Sequence, residues 1–302
     1  MSGESKPAEF VTLQNEMRKY ATSLREARPL LYSTGLRSLD DVLGGGYQPG
    51  EVVVIAASTS QGKTMVGLQL AWEISRIGRN VLIISEEMTP QVLAERSIGT
   101  ASNVEQEDWR IYYDRVFDDV IAWEDSHPGK MMVPSVPCHT LVRTLDSVSQ
   151  AVTHFKVKAV VVDYIQLISA PGGNRYEQVT NVSIAMKQIA AEYNVSVIAL
   201  AQFNKSAESE EMPAMHHIAD SSQIPKDADV VLLCKWPWFV NNKFENKNEY
   251  WIKCAKNRNR GVRKGGAIKC HFDPVRQVLT DDSGQQQEIQ YSEEMSDSER
   301  FR

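Results

Sequence analysis

Residues 52 to 64 read VVVIAASTSQGKT, an apolar β-branched run that passes through a short polar turn into Gly62-Lys63-Thr64. Val52, Val53, Val54 and Ile55 show no polar alternation, which suits a strand covered on both faces at the centre of a parallel sheet. From Met65 to Ile77 the apolar residues return at helical spacing. Strand, turn and helix in this order build a phosphate cradle. Backbone N–H groups of the turn and helix start converge on an anion, a lysine reaches the β and γ oxygens, and a hydroxyl ligates Mg²⁺. Ser60, Gln61, Gly62, Lys63 and Thr64 occupy those places. Ala57 stands where such loops usually begin with glycine, so the turn has to form without a left-handed residue there.

From Gly44 to Ala201 strands and helices alternate. Apolar runs at 52–56, 81–84, 159–162 and 195–200 are separated by helical stretches around 65–77, 90–118, 140–155 and 176–193. That pattern predicts an α/β fold, a mostly parallel central sheet with helices on both faces. After residue 228 the helical pattern stops, and runs at 229–234, 249–255, 266–272 and 276–280 predict an antiparallel extension of the same sheet. Upstream, Phe10, Leu13, Met17, Tyr20 and Leu24 form one apolar helical stripe that breaks at Arg28-Pro29. Such a helix packs either on its own domain or on a neighbouring copy. From Asp281 to Arg302 the chain is rich in Asp, Glu, Gln and Ser, the composition of a disordered tail.

The chain has 302 residues and a formal net charge of −6, which excludes a globally basic nucleic-acid binder and leaves room only for a local basic surface. Cys138, Cys234, Cys254 and Cys270 are widely spaced, with no zinc-ligand spacing, and read as thiols of a reducing compartment. No apolar stretch escapes charge long enough to span a bilayer, and no signal-like segment opens the chain. A cytoplasmic protein with no membrane partner is expected.

Four further places bear on chemistry. Asp163 closes the apolar run AVVVD at the carboxyl edge of the sheet, where it can hold the Mg²⁺ hydration shell. Tyr164 follows it, so a water-activating base must come from elsewhere. The neighbouring run VLIIS delivers Glu86 and Glu87 to the same edge; if the strand runs through Ser85, only one of them can face the nucleotide, unless both serve a helix start at Thr89-Pro90. Gln202 ends a fourth strand and can bond the γ-phosphate or its water, or else be a buried amide satisfied by backbone. Finally Lys253, Lys256, Arg258, Arg260, Arg263 and Lys264 put six cations within twelve residues. Solvation, contact with a neighbour's γ-phosphate and contact with a nucleic-acid backbone are all open to them.

Taken in order, these motifs resemble the ATPase domain of DnaB-type replicative helicases, within the RecA-like group, over roughly residues 30 to 280. AASTSQGKT resembles the family's phosphate loop, alanine included; ISEEMTP its glutamate segment; VVVDYIQLI its Mg²⁺ aspartate strand; and ALAQFNKS its sensor strand. DSSQIPKDADVVLL resembles the DNA-facing loop, with Ala219 in place of the common Arg and Ser222 in place of the common Gly, and KCAKNRNRG resembles the strand end that acts in trans.

The resemblance implies a RecA-like P-loop NTPase that uses ATP and Mg²⁺. Its catalytic set would be Lys63, Glu87 and Gln202 in cis with Lys256 and Arg258 in trans, and Thr64 and Asp163 would hold the metal. Single-stranded DNA would be tracked by central loops near 172–177 and 205–225, with Arg175, Asn204, Lys205, Ser221, Ser222 and Gln223 as contact residues. Implied partners are single-stranded DNA, further copies in a homohexamer, a primase and a helicase loader, with 5′ to 3′ movement. The implied domains are a linker helix in 1–30 that docks on the adjacent subunit, an ATPase domain in 31–280 and the acidic tail in 281–302. No helical N-terminal domain, zinc module or primase module is expected, as in a minimal core that a phage or mobile element would encode. Two alternatives remain at this point. TGLRSLDDVLGGGYQPGE is shared with RecA-like ATPases of the circadian or recombination type, and a nucleotide-gated assembly module with negligible turnover would carry the same cradle.

Overall fold

A computed structural model describes residues 12–26, 30–240, 246–261 and 266–281. Phe10, the Arg28-Pro29 break, Arg263, Lys264 and the tail beyond Asp281 lie outside them. The chain divides into two units, residues 1–31 and 32–302. The first contains helix α1 (Leu13–Glu26), whose stripe residues Leu13 and Met17 are exposed.

The second unit shows nine strands among its described residues: β1 (Val52–Ala57), β2 (Val81–Ser85), β3 (Met131–Met132), β4 (Ala159–Asp163), β5 (Ser196–Gln202), β6 (Val230–Lys235), β7 (Glu249–Asn257), β8 (Ile268–Asp273) and β9 (Val278–Asp281). They form one sheet in the order β3-β2-β4-β5-β1-β6-β7-β8-β9. The first six are parallel and the last three antiparallel. β1 shows why an unbroken apolar run is required. Val53, Ile55 and Ala57 face one core, Val52, Val54 and Ala56 the other, and all six are buried.

Helices α2 (Arg37–Leu43) and α3 (Lys63–Arg76) help build the first core. Helices α6 (Leu141–Phe155) and α7 (Arg175–Tyr193) build the second. Gly67 lets α3 lie close on β5, since a Cβ there would stand 2.9 Å from Leu200 Cδ2. The four cysteines are buried and unpaired, and burial pushes the Cys234 and Cys270 thiols up to about 12, which makes them inert at neutral pH. No helix among the described residues is long and apolar enough to cross a membrane.

Four sequence expectations need correction. The stretch 90–118 is two helices, α4 (Pro90–Ser102) and α5 (Tyr113–Ser126), because Asn103 adopts a left-handed φ of 50° and stops the first. β6 pairs parallel to β1, so the antiparallel extension starts only at β7. Helical structure also continues past residue 228, as the short α9 (Pro237–Val240), and precedes β6 as α8 (Ile224–Asp227). Lastly, Asp281 belongs to the fold and not to a tail. It ends β9, and its carboxylate accepts from Arg37 N, Ser38 N and Ser38 Oγ, capping α2 where Leu36 offers no side-chain acceptor.

Candidate functional site

The phosphate loop leaves β1 at Ala57, which keeps strand geometry opposite Gln202 and accepts a hydrogen bond from Phe203 N. The left-handed residues of the turn are Ser60, φ 60°, and Gly62, φ 78°. The glycine missing at 57 is therefore not needed, because the backbone reverses later. Gly62 is the N-cap of α3 and no side chain among the described residues caps that helix, so an anion can occupy its start. The loop is braced from the antiparallel extension. Tyr250 Oη donates to Gln61 O at 2.6 Å, and Gln61 Oε1 accepts from Trp236 N at 3.2 Å. The Gln61 side chain, 4% exposed, thus serves this brace and leaves only its backbone to a ligand.

Lys63 and Thr64 open α3 beside the ends of β2 and β4. Lys63 Nζ lies 3.3 Å from Glu87 Oε2 and 4.5 Å over the Tyr164 ring. Thr64 Oγ1 donates to Asp163 Oδ2 at 2.7 Å. Asp163 is buried and its Oδ1 has no hydrogen-bond partner among the described residues. Desolvation raises its carboxyl pKa, against the attraction of Lys63 and the Thr64 hydrogen bond, while Glu87 adds repulsion. An orphaned, buried carboxylate oxygen beside a hydroxyl is a donor set that fits Mg²⁺, which takes few protein oxygens and keeps several waters.

The two glutamates separate as the strand period requires. Glu87, half exposed, turns to Lys63. Glu86 is 1% exposed in its side chain, and its Oε2 accepts from His139 N at 2.8 Å and lies 3.0 Å from His139 Nδ1. Neither caps a helix, for Thr89 Oγ1 caps α4 by accepting from Val92 N. Gln202 Nε2 donates to Thr59 Oγ1 at 2.6 Å, so its amide reaches the phosphate loop and is not spent on backbone. A cleft of about 390 Å³ joins Lys63, Thr64 and Glu87 to Arg96, Trp236 and Phe272.

The expected nucleic-acid residues fall in two places. Arg175 begins α7 and pairs with Asp220 at 3.7 Å; Ser222 bonds Tyr176 Oη at 2.9 Å, and Gln223 Nε2 donates to Asp227 Oδ1. Ser221 is buried with its hydroxyl on Thr180, so its side chain holds the loop. Asn204 caps the short turn 205–209 through Ser206 N, beside the exposed Lys205. The basic cluster divides as well. Arg260 Nη2 donates to both oxygens of buried Glu51 and Nε to Leu43 O, a structural role, whereas Lys256 and Arg258 stand at the end of β7 opposite the start of β6.

Sequence reasoning missed Thr59, Tyr250, Trp236 and Gln166. Gln166 is buried and bridges both the N–H and the carbonyl of Gln202, tying the end of β5 to the segment after β4. None carries a local signal, because each role depends on a strand register set far along the chain.

The family described as DnaB-like helicase C terminal domain matches residues 32–278. The replicative DNA helicase DnaB of Geobacillus stearothermophilus is 30% identical over 256 residues, covering 79% of this chain and 54% of that protein. Its counterpart from Treponema pallidum is 30% identical over 246 residues, 80% of this chain and 53% of that one. The chain therefore spans about half the length of the curated relatives it matches. Among solved structures, an isolated ATPase domain superposes with a TM-score of 0.78 at 22% identity, covering 90% of this chain and 99% of that one. A DnaB-like replicative helicase solved with attention to its primase interactions gives a TM-score of 0.77 at 22% identity, covering 89% and 68%. With the family match running through both halves of the sheet, the chain belongs to the DnaB-like helicase C-terminal domain family.

Proposed function

We propose that the chain is an ATP-dependent DNA helicase that works as a homohexameric ring and moves 5′ to 3′ on single-stranded DNA. The observation that carries this is the distance between two groups of residues. Lys63, Glu87 and Asp163 meet at the carboxyl end of β1 and its neighbours. Asn257, next to Arg258, pairs with Val230, which pairs with Val53 at the other end of β1. Four strand rises of about 3.3 Å separate Val53 from Ala57, before the loop is added. At that separation Lys256 and Arg258 do not reach their own nucleotide, which supports a role at a neighbour's site and, with it, a closed ring of identical subunits.

In that reading the backbone around Ser60 to Thr64 wraps the phosphates, and Lys63 turns from Glu87 to the β and γ oxygens. Glu87 Oε2, freed of its cation, accepts the proton of the attacking water as ADP leaves. Mg²⁺, held by Thr64 and Asp163, would offset charge on the phosphate oxygens when bound. Gln202, joined to the loop through Thr59, reports the γ-phosphate to the strand end that precedes Asn204 and Lys205. The apolar face of α1 that carries the exposed Leu13 and Met17 docks on the adjacent subunit. Arg175, Asn204, Lys205, Ser222 and Gln223 face DNA with the backbone around Ser221, and a primase and a loader act as external partners.

Unwinding of forked DNA with the 5′ or 3′ arm varied tests the reading, beside particle images with and without ATP. Rings that unwind only forks with a 5′ loading arm are expected. Strand pairing without unwinding, or ATP turnover indifferent to DNA, would refute it.

A further inference from the structure

Lys256 and Arg258 are not loose in the subunit. Lys256 Nζ donates to Pro225 O at 2.7 Å and Lys226 O at 3.1 Å. Arg258 Nη2 donates to Lys226 O at 2.7 Å, and Nη1 lies 3.3 Å from Asp229 Oδ1. Both cations thus rest on carbonyls of α8, and Arg258 also on the carboxylate just beyond it. Asp229 is itself fixed: its side chain is 4% exposed, and Oδ2 takes Val52 N at 2.9 Å and Lys187 Nζ at 2.5 Å. Its backbone closes the same corner, with N donating to Val52 O and O accepting from Arg258 N.

The other side of α8 is attached to the loop expected to face DNA. Asp227 accepts from Ser183 Oγ on α7 and from Gln223 Nε2, both at 2.7 Å. Upstream, Ser221 bonds Thr180 and Ser222 bonds Tyr176, so residues 220–227 lie along α7 with no spacer between loop and helix. A groove of about 840 Å³ is lined by Tyr176, His216, Ser222, Lys226 and Lys256, among others. Burial, and then the charge of Arg258, push the Lys256 ammonium pKa down, as expected of two cations confined together.

We infer that Asp229 and the carbonyls of Pro225 and Lys226 are positioning groups for Lys256 and Arg258, and that the segment 220–227 transmits the state of the DNA-facing loop to those cations. The inference rests on the function proposed above. A shift of α8 moves acceptors of both cations at once, while Asp229 holds Arg258 against the sheet. Strand occupancy in the groove would therefore alter how the neighbouring site is completed, which gives DNA-stimulated turnover a physical route.

The test is Asp229→Asn in the full chain. ATP affinity and single-strand affinity should stay within about twofold, whereas DNA-stimulated kcat should fall about 10- to 100-fold, as for a misplaced catalytic group. Subunit mixing separates positioning from general damage. Asp229→Asn should restore turnover when mixed with Glu87→Gln, whose trans cations are intact, and should restore none when mixed with Arg258→Ala. Wild-type stimulated kcat in Asp229→Asn, or rescue of Arg258→Ala by it, overturns the inference. If Asp229→Asn does not fold, Asp227→Ala decides: it should cut the fold-stimulation by single strands at least threefold, and undiminished stimulation overturns the proposal. Absence of stimulation in the wild type, or no restoration between Glu87→Gln and Arg258→Ala, instead refutes the helicase reading, and this inference falls with it.

Discussion

Exchanging each glutamate of the Glu86-Glu87 pair for glutamine should separate stability from turnover. Glu86 is buried, with its Oε2 on the backbone and ring nitrogens of His139, and its other oxygen has no partner among the described residues. Glu86→Gln turns two charge-assisted interactions into neutral ones and places an amide in a pocket shaped for a carboxylate. With the His139 ring mostly exposed, the cost is about 1–2 kcal/mol. In a domain of this size that lowers Tm by about 2–8 °C. Glu87 is half exposed and answers to two opposed neighbours, attracting Lys63 at 3.3 Å and repelling Asp163. Removing its charge therefore nearly cancels, and Tm should stay within about 2 °C. Turnover should behave in the opposite way, with Glu87→Gln losing about 10²- to 10⁴-fold in kcat and Glu86→Gln losing little. Thermal unfolding, phosphate release and the affinity of a fluorescent ATP analogue measure all three quantities. A Glu86→Gln protein that melts like the wild type, binds ATP and does not turn it over would refute the assignment.

Burial raises the Asp163 pKa, so its contribution to stability is present below the ordinary aspartate value and is lost as pH rises through the raised one. At neutral pH Asp163→Asn should thus melt no lower than the nucleotide-free wild type, yet lose the Mg²⁺ dependence of ATP affinity; a titration of Mg²⁺ against melting temperature measures both. In the wild type that Mg²⁺ dependence should fade on acidification at a higher pH than at an ordinary carboxylate site. Tyr250→Phe removes the brace on Gln61 O, worth about 0.5–1.5 kcal/mol, and should weaken ATP binding about 2- to 10-fold without loss of kcat at saturation. Arg175→Ala should make the log–log salt dependence of single-strand binding shallower by about 0.7, the increment for one phosphate contact, and an unchanged slope would remove Arg175 from the DNA surface.

The legible parts of the fold were those written within one element or across one turn. β1, the loop and α3 follow one another, so the run of β-branched residues and the Gly62-Lys63-Thr64 start locate the cradle without any long-range information. The period of a strand likewise sends Glu86 and Glu87 to different neighbours once β2 is known to reach Ser85. Strand direction is another matter. Nothing in the apolar run of β6 says that it pairs parallel to β1, since the crossover that makes it so is the segment between β5 and β6, which passes over β1 and shows α8 as its only α-helix among the described residues. The break at Asn103 was readable as a residue that tolerates left-handed backbone, but the helical pattern on both sides hid it.

The basic cluster shows why the site was harder to read than the fold. Composition groups Lys256, Arg258 and Arg260 as one patch, yet their fates depend on acceptors distant in sequence. Arg260 finds Glu51, two hundred and nine residues away, and is consumed in a buried pair. Arg258 finds the Asp229 carboxylate, and both Lys256 and Arg258 find main-chain carbonyls of α8, about thirty residues back. A carbonyl carries no side-chain signature, so no inspection of residue types could have found these partners. The distinction matters physically, because a carbonyl on a four-residue helix attached to a loop can move with that loop, whereas Glu51 precedes a central strand and cannot. Of three cations that look alike in the sequence, the two that rest on α8 carbonyls are those for which a role at a neighbour's site is proposed.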